Sequence, residues 1–180
     1  MLKLLYALIL GLVGAAVVHI TVLLLVPAYS ERDAWTRLSA RAPEFTVTQI
    51  SGFSGDNAFP KGADPLFASI ACRYSLTGGV VHMIADGDLP FWSVSVYDRR
   101  GQIIYSLNDR TATDRELDLV IATPARMVEL RKELPEDYAN SVFVETEEIE
   151  GMIVARTFVP DDSWSGMAKA FLQSAECRLE

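Results

Sequence analysis

A long apolar run near the N-terminus constrains this chain more than any other feature of its sequence. From Leu4 to Val26 no side chain carries a formal charge, apart from a protonated form of His19. At about 1.5 Å per residue, a helix of this length crosses the roughly 30 Å hydrocarbon core of a bilayer. We therefore predict a transmembrane signal-anchor over residues 1–28, which binds the membrane through residues 4–26.

A cleaved signal peptide is the alternative, because Val26-Pro27-Ala28 offers small residues for cleavage. The run is longer than the usual apolar region of about 7 to 15 residues, which favours an uncleaved anchor. A short N-terminal tail has little reason to cross, whereas a large following domain can be translocated. The prediction is a single-pass protein of the inner (plasma) membrane with a periplasmic domain.

One face of this helix carries small residues. Gly11, Ala15 and His19 follow each other at i, i+4 spacing, the pattern that lets two helix backbones approach closely. An imidazole on that face gains from an interhelical hydrogen bond. The face predicts a helix–helix interface, either in a homodimer or with another membrane protein, although chance placement of small residues gives the same pattern.

The remaining chain is acidic. The whole sequence has 16 Lys and Arg residues against 24 Asp and Glu residues, with a net charge of −8. Nucleic-acid affinity comes mainly from clustered basic side chains, so no nucleic-acid partner is expected. Cys72 and Cys177 lie far apart without metal-type spacing; they could pair in an oxidising compartment or both be free. Cys72 falls on the inward face of its strand.

The sequence after the anchor divides into two parts. Residues 29–43 predict a juxtamembrane stalk, a short helix capped by Ser30 and stopped by Pro43. Residues 44–180 predict a soluble β-rich domain, interrupted after residue 50 by a loop rich in Gly, Pro and Asp that is long enough to be functional.

A β-hairpin is encoded between Phe91 and Arg110. Asp98 suits the start of a type I turn, and Gly101 supplies the positive φ of a following G1 bulge. Apolar side chains recur at every second position on both strands and predict one favoured face. These positions are Trp92, Val94 and Val96 on the first strand, and Ile103, Tyr105 and Leu107 on the second.

Further strands are predicted over 45–50, 67–76, 80–85, 116–123, 141–146 and 152–159. The last is apolar on both faces and should lie centrally. Thr123-Pro124 starts a short helix with an apolar stripe of Met127, Leu130 and Leu134. A C-terminal amphipathic helix is capped by Asp161, Asp162 or Ser163 and should dock on the sheet through the stripe from Trp164 to Ala175. Cys177 lies off that stripe.

Short strands with hairpin links and only two helices in this domain favour a mainly β (α+β) fold. We predict an antiparallel β-sandwich-like domain, with a short helix and the C-terminal helix packed on the sheet.

The segments GADPLFASIACRYSL and GGVVHMIADGDLPFWSVSVYDRRGQIIYSLNDR resemble the domain-of-unknown-function family 1254. The resemblance covers roughly residues 40–160 and is strongest to the short membrane-anchored members. It implies a β-rich envelope domain whose companion is a separate protein of family 1214. Longer members have further polar residues where this chain has Leu66-Phe67. The family supplies no catalytic residues.

Few residues suggest chemistry. His82, Asp86 and Asp88 are the candidates for a metal site, but the Gly87 turn interrupts them and a fourth ligand is not evident, so we expect neither metal nor cofactor. No serine has the context of an activated nucleophile, and no catalytic residue is predicted.

The hairpin rim, defined as Arg99, Arg100 and Arg110, forms a basic group in an acidic domain. It could meet anionic lipid or an acidic partner, or simply keep the turn soluble. The leading functional hypothesis is a non-enzymatic binding or assembly module acting with another membrane or periplasmic protein, in a homodimer or with a family 1214 partner. The alternative is a small-ligand-binding protein or hydrolase with a pocket near His82.

Overall fold

A computed structural model of the chain describes residues 2–53 and 64–180, with the backbone alone for residues 27–34. The long loop predicted after residue 50 therefore lies largely outside the described residues. The α-helices are α1 (Leu2–Ser39), α2 (Pro124–Lys132) and α3 (Asp162–Ser174). The strands are β1 (Thr48–Ser51), β2 (Phe67–Ser75), β3 (Val81–Ala85), β4 (Trp92–Asp98), β5 (Ile103–Asn108), β6 (Leu117–Ala122), β7 (Val142–Glu145), β8 (Glu150–Phe158) and β9 (Glu176–Leu179).

The strands form two sheets that pack face to face. Sheet A has the order β1-β2-β8-β4-β5, and sheet B has the order β7-β6-β3-β9. Alternate residues of both sheets point into one shared core, which includes Val94 and Ile153 from sheet A and Met83 and Leu119 from sheet B. The mainly β, α+β fold and its sandwich-like arrangement are thereby confirmed.

Strand β8 occupies the centre of sheet A, as its two apolar faces predicted. Its Ala155 is paired with Ile70 of β2 on one side and Val94 of β4 on the other. Both faces of β8 are buried from Gly151 to Ala155, because the outward residues Met152 and Val154 are covered by the end of α1, whereas the outward Arg156 is exposed. Where a strand is covered on both faces and paired along both edges, consecutive side chains must be apolar, as they are from Met152 to Ala155.

The predicted hairpin turn is confirmed. The Asp98 Oδ1 atom accepts hydrogen bonds from the backbone N–H groups of Arg100 and Gln102, both at 2.8 Å. Gly101 has a φ of 80°, which a residue without a Cβ adopts without strain. Its N–H donates to the Asp98 carbonyl at 3.1 Å, closing the type I turn.

The favoured face of β5 was predicted wrongly at its start. Val96 pairs with Tyr105 but Tyr97 pairs with Ile103, so an extra residue enters β5 between the two pairs. This irregularity exchanges the faces of the two isoleucines: Ile103 is 63% exposed, whereas Ile104 packs against the core. A bulge inserts one residue and therefore inverts a period-two pattern.

Strand β9 was not predicted, and it brings the two cysteines together. The chain leaves α3 after Ser174 and pairs with β3 as an edge strand of sheet B. Cys177 then points inward and forms a disulfide with Cys72 of sheet A, with a Cα–Cα distance of 6.5 Å. The cysteines are thus bridged, and the disulfide joins the two sheets of the sandwich.

Helix α3 docks on the sheets as predicted. Asp161 is its N-cap and accepts a hydrogen bond from the Ser163 N–H at 2.8 Å. A hydrogen bond from the Ser163 hydroxyl, and then the one from its N–H, lower the pKa of the Asp161 carboxyl below its ordinary value. Phe171 is buried and stacks on Trp92 of β4, with 6.1 Å between ring centroids. Met167, by contrast, is 46% exposed.

Helix α2 begins at the predicted cap, where the Thr123 hydroxyl accepts from the Arg126 N–H. It ends at Lys132, so Leu134 falls beyond the helix and is 49% exposed rather than part of the buried stripe. The connection through α2 also makes β7 parallel to β6, the one parallel pair among the described strands. A helical crossover of this length allows parallel pairing, which a hairpin cannot.

Helix α1 is longer than predicted. It continues through Pro27 to Ser39, so the predicted helix start at Ser30 is wrong. The end of α1 and the residues after it pack on the outer face of sheet A. Leu38 of α1 and the following Ala42 form an apolar cluster there with Ala71 of β2. The Arg73 guanidinium donates to the Ala42 carbonyl at 3.0 Å and to the Ser39 carbonyl at 3.4 Å. A guanidinium at this position satisfies carbonyl groups that the helix end leaves unpaired.

Candidate functional site

The outer face of sheet B holds a group of polar side chains that contact one another, which we call the polar cluster. It is built around His82, which lies on β3 between inward-facing Val81 and Met83 and therefore points away from the core. The other members come from β6, from the residue after β9 and from the segment before β7. Its members are His82, Asp118, Tyr138, Ser141 and Glu180.

Two carboxylates flank the imidazole of His82. Its Nε2 atom lies 2.8 Å from Asp118 Oδ1, and its Nδ1 atom lies 3.6 Å from Glu180 Oε1. The Tyr138 ring packs edge-on against the imidazole, with 5.0 Å between centroids. The Tyr138 hydroxyl donates to Glu180. His82 and Tyr138, the two buried members, thus both have partners, as a buried polar group requires.

Burial raises the pKa of Tyr138, and its hydrogen bond to the Glu180 carboxylate raises it further. The phenol, which is neutral at physiological pH as any tyrosine is, therefore also remains a hydrogen-bond donor at alkaline pH, where a free tyrosine ionises. Tyr74 in the core also has a raised pKa, mainly through burial and then through the nearby charges of Asp98 and Glu148. Its hydroxyl has no hydrogen-bond partner in the described part of the chain.

Protein stability is therefore expected to fall once the pH rises above about 10, the ordinary pKa of tyrosine. The unfolded chain releases these phenol protons before the folded chain does, so their contribution is complete below that pH and is lost above it. Replacing Tyr74 and Tyr138 with phenylalanine should flatten the fall in unfolding free energy between pH 9 and 11. Urea denaturation across that range measures it, and an unchanged slope would contradict the assignment.

The polar cluster does not have the geometry of a serine nucleophile. The Ser141 hydroxyl donates to Asp118 Oδ1 at 2.6 Å, so serine and histidine both contact the same carboxylate. In a catalytic triad the serine contacts the histidine, which removes its proton. The cluster instead ties the segment before β7 to the outer face of sheet B.

A groove of about 830 Å³ lies beside the polar cluster. Tyr138 and Glu180 line it, and His82 lies behind them. A smaller cavity of about 440 Å³ lies between β1 and α3, but its lining does not include His82. The cavity between sheet A and α3 is thus separate from His82, the residue near which a ligand pocket was predicted.

The metal-site candidates are not brought together. Asp86 and Asp88 follow the end of β3 and are exposed, while His82 is near the other end of the strand among Asp118 and Glu180. The backbone of Asp86 is held by Ser174 of α3. Within residues 2–53 and 64–180, no three His, Cys, Asp or Glu side chains are close enough to hold one ion.

The structure does not bring the hairpin rim together: Arg99 and Arg100 lie in the turn, near the end of α1, whereas Arg110 follows β5 at the opposite end of the hairpin. Arg99 contacts Glu150 at 3.4 Å and stacks over the Trp35 ring at 5.7 Å. Arg100 contacts Asp98 at 3.0 Å and Glu148 at 3.3 Å, and the Arg110 side chain is exposed. Acidic neighbours therefore offset the positive charge of Arg99 and Arg100.

The Trp35 ring contacts two guanidinium groups. Arg73 stacks over its ring at 5.1 Å from one strand of sheet A, and Arg99 does so from the hairpin turn. Guanidinium groups over an indole face gain a cation–π attraction. We call this contact, together with the Arg73 hydrogen bonds to α1, the anchor junction. It fixes the end of α1 against sheet A.

The predicted helix–helix face is on the exposed part of α1. Gly11, Ala15 and His19 are all exposed, and a Cβ added at Gly11 would meet no atom within 4 Å. The part of α1 from Leu2 to Val26 is long and apolar enough to cross a membrane, and a signal sequence has the same properties.

Neither a protein-family model nor a curated protein matches the chain. Among solved structures, the VPA0106 protein from Vibrio parahaemolyticus is similar over 86% of this chain, with a TM-score of 0.61 and 12% identity. The chain spans only 36% of that protein's length. An uncharacterised protein from Burkholderia cenocepacia matches 66% of the chain and 30% of its own length at 16% identity, with a TM-score of 0.40 that supports no conclusion.

The comparison with VPA0106 shows a shared fold and nothing further at this identity. The class that the fold defines is an apolar N-terminal helix joined to a two-sheet, mainly β domain. The resemblance to family 1254 remains a hypothesis.

The sequence pointed to His82 but missed its partners. Asp118 could have been found, because it is the charged residue inside an otherwise apolar strand, β6. Tyr138, Ser141 and Glu180 reach the histidine only through the parallel placement of β7 and the pairing of β9 with β3. Neither pairing has a signal in the local sequence.

Proposed function

We propose that this chain is a membrane-anchored binding or assembly module of a cell envelope, non-enzymatic, that acts with another membrane or periplasmic protein. The anchor junction is the observation that carries this proposal. It packs the end of α1 onto sheet A with two cation–π contacts and two hydrogen bonds from the Arg73 guanidinium to backbone carbonyls. A partner bound to the domain would thereby be held at a fixed position relative to the membrane.

The disulfide supports the location. Cys72 and Cys177 are the only cysteines of the sequence, and they form one bridge. Structural disulfides persist in oxidising compartments and are rare in the cytosol of mesophiles. We infer that the helix is a signal-anchor in the inner membrane and that the domain lies on the periplasmic side.

The resemblance to family 1254 supports a particular partner. A separate protein of family 1214 would be the companion of the domain, and self-association through the face of Gly11, Ala15 and His19 is the other arrangement. A module of this kind needs surfaces rather than an activated nucleophile, and the hydrogen bonds of Ser141 and His82 to one carboxylate agree with that.

Crosslinking of the full chain in its native membranes, followed by mass spectrometry, tests the proposal. We expect a crosslinked species that contains a second polypeptide, and recovery of monomer alone would contradict the proposed function.

The same experiment separates a helix contact from a domain contact. Gly11→Ile with Ala15→Ile adds bulk to the small-residue face, while Leu10→Ile with Val17→Ile alters the opposite face of α1 as a matched control. Loss of the crosslink with the first pair alone would place the contact on the helix, and retention with both pairs would place it on the domain.

A further inference from the structure

The groove beside the polar cluster has an apolar floor that the fold leaves uncovered. It runs between α2 with its following turn and the backbone at Gly78 and Gly79, and it has a volume of about 830 Å³. Leu130, Leu134 and Pro135 line it, and Leu134 is 49% exposed because α2 ends before reaching it. Exposed apolar surface inside a groove with a polar rim is typical of an interaction site.

The rim of the groove is acidic. Arg126 is the one basic lining residue, and it is engaged by Glu129 at 2.9 Å. Glu133 and Glu136 also line the groove and have no ion pair with any residue that the structure describes. A groove lined by unpaired carboxylates attracts positive charge and disfavours anions.

The groove also lies on an accessible side of the molecule. The end of α1 covers the outer face of sheet A, whereas α2 and the groove are on the outer face of sheet B, across the shared core. The sandwich therefore separates the groove from the anchor junction. Anionic lipid headgroups are a poor occupant, because the rim would repel them.

We propose that this groove, the acidic groove, docks a basic segment of a partner protein that also carries apolar side chains. Lysine or arginine side chains would pair with Glu133 and Glu136, and apolar side chains would cover Leu130 and Leu134. The groove is open rather than enclosed, so it fits a polypeptide segment better than a small molecule, which sites normally bury almost completely. This inference rests on the proposed function and names the docking surface of the module.

The direct test uses the full chain in nanodiscs of zwitterionic lipid, with empty nanodiscs as the blank. A fluorescent 12-residue peptide of lysine and leucine is the probe, and a peptide of glutamate and leucine is its counterpart. We expect the basic peptide to bind and the acidic one not to, with binding that weakens as salt rises. Equal binding of both peptides, or no binding of the basic one, would overturn the inference.

Variants locate the binding. Glu133→Lys with Glu136→Lys should weaken it about tenfold or more, and Leu134→Ser should weaken it as well. Asp88→Lys with Glu116→Lys makes the same change in charge on exposed residues at the opposite end of sheet B and should leave affinity within about twofold. If both pairs of substitutions weakened peptide binding equally, the attraction would be a general effect of charge, and the proposal would be overturned. Self-association of the chain that the groove variants abolish would also overturn it, because the groove would then bind a second copy.

A photo-crosslinking residue distinguishes this inference from the function on which it rests. At Leu134 this residue reports on partners of the acidic groove in native membranes, and at the exposed Ile103 of β5 it reports on partners of sheet A. Crosslinks to a partner from Ile103 alone would contradict docking in the acidic groove but would still support a binding module. Crosslinks from Leu134 that disappear with Glu133→Lys and Glu136→Lys would support both the docking groove and the binding module.

Discussion

Replacing both Cys72 and Cys177 with alanine is expected to lower the free energy of unfolding by about 4 to 5 kcal/mol. The bridge closes a loop with a sequence separation of 105, and crosslinking a loop of about that length restricts the unfolded chain strongly. It also joins β2 of one sheet to β9 of the other, so its loss frees an edge strand. Urea denaturation of the two proteins in nanodiscs measures the difference.

Reduction of the unmodified protein provides the control. Its stability in dithiothreitol should approach that of the double alanine variant, and either single variant should behave like the double one. A loss below about 1 kcal/mol would mean that the native packing alone holds β9 in place.

Gly151→Ala is expected to destabilise the domain by at least about 2 kcal/mol, the scale of overpacking in a closed core. Gly151 lies in the central strand β8, between Tyr74 of β2 and Asp98 of β4. A Cβ there would lie 2.5 Å from the Tyr74 hydroxyl oxygen and closer still to the Tyr97 carbonyl oxygen. The carbonyl belongs to a paired strand and cannot move aside without breaking the sheet. Thermal denaturation reports the loss as a lower Tm.

Gly166→Ala is the matched control, because Gly166 lies inside α3 and a Cβ there meets nothing within 4 Å. It should stabilise the domain by about 0.5 to 1 kcal/mol, since alanine favours a helix over glycine. Adding Tyr74→Phe to Gly151→Ala should recover only part of the loss, because the Tyr97 carbonyl remains. Full recovery would show that the hydroxyl, rather than the backbone, is the obstacle.

Local chemistry made the antiparallel parts of the fold predictable. Asp98 and Gly101 define their turn through hydrogen bonds and a positive φ that depend on those two residues alone. The central position of β8 followed from apolar residues on both faces, and the cap of α3 followed from Asp161. In each case the sequence within a few residues contains the physical cause.

Long-range pairing was not predictable in the same way. The prediction assumed that Cys177 continued α3 and therefore lay off the apolar stripe of that helix. In the structure α3 ends at Ser174, and Cys177 belongs to β9, where side chains alternate every two residues instead of every 3.6. The partners of His82 come from β6, the segment before β7 and the end of β9, which only the sheet order brings together. The acidic groove likewise depends on where α2 ends, two residues earlier than its apolar pattern suggested.

The proposed envelope module requires that the domain lie on the oxidising side of the membrane. Thiol trapping tests this most directly: intact cells are quenched in acid and labelled with a maleimide polymer before electrophoresis. Because the chain has 2 cysteines, we expect no label on the full-length protein without reduction and label on both after reduction. Label on both cysteines without reduction would contradict the location and the anchored module built on it.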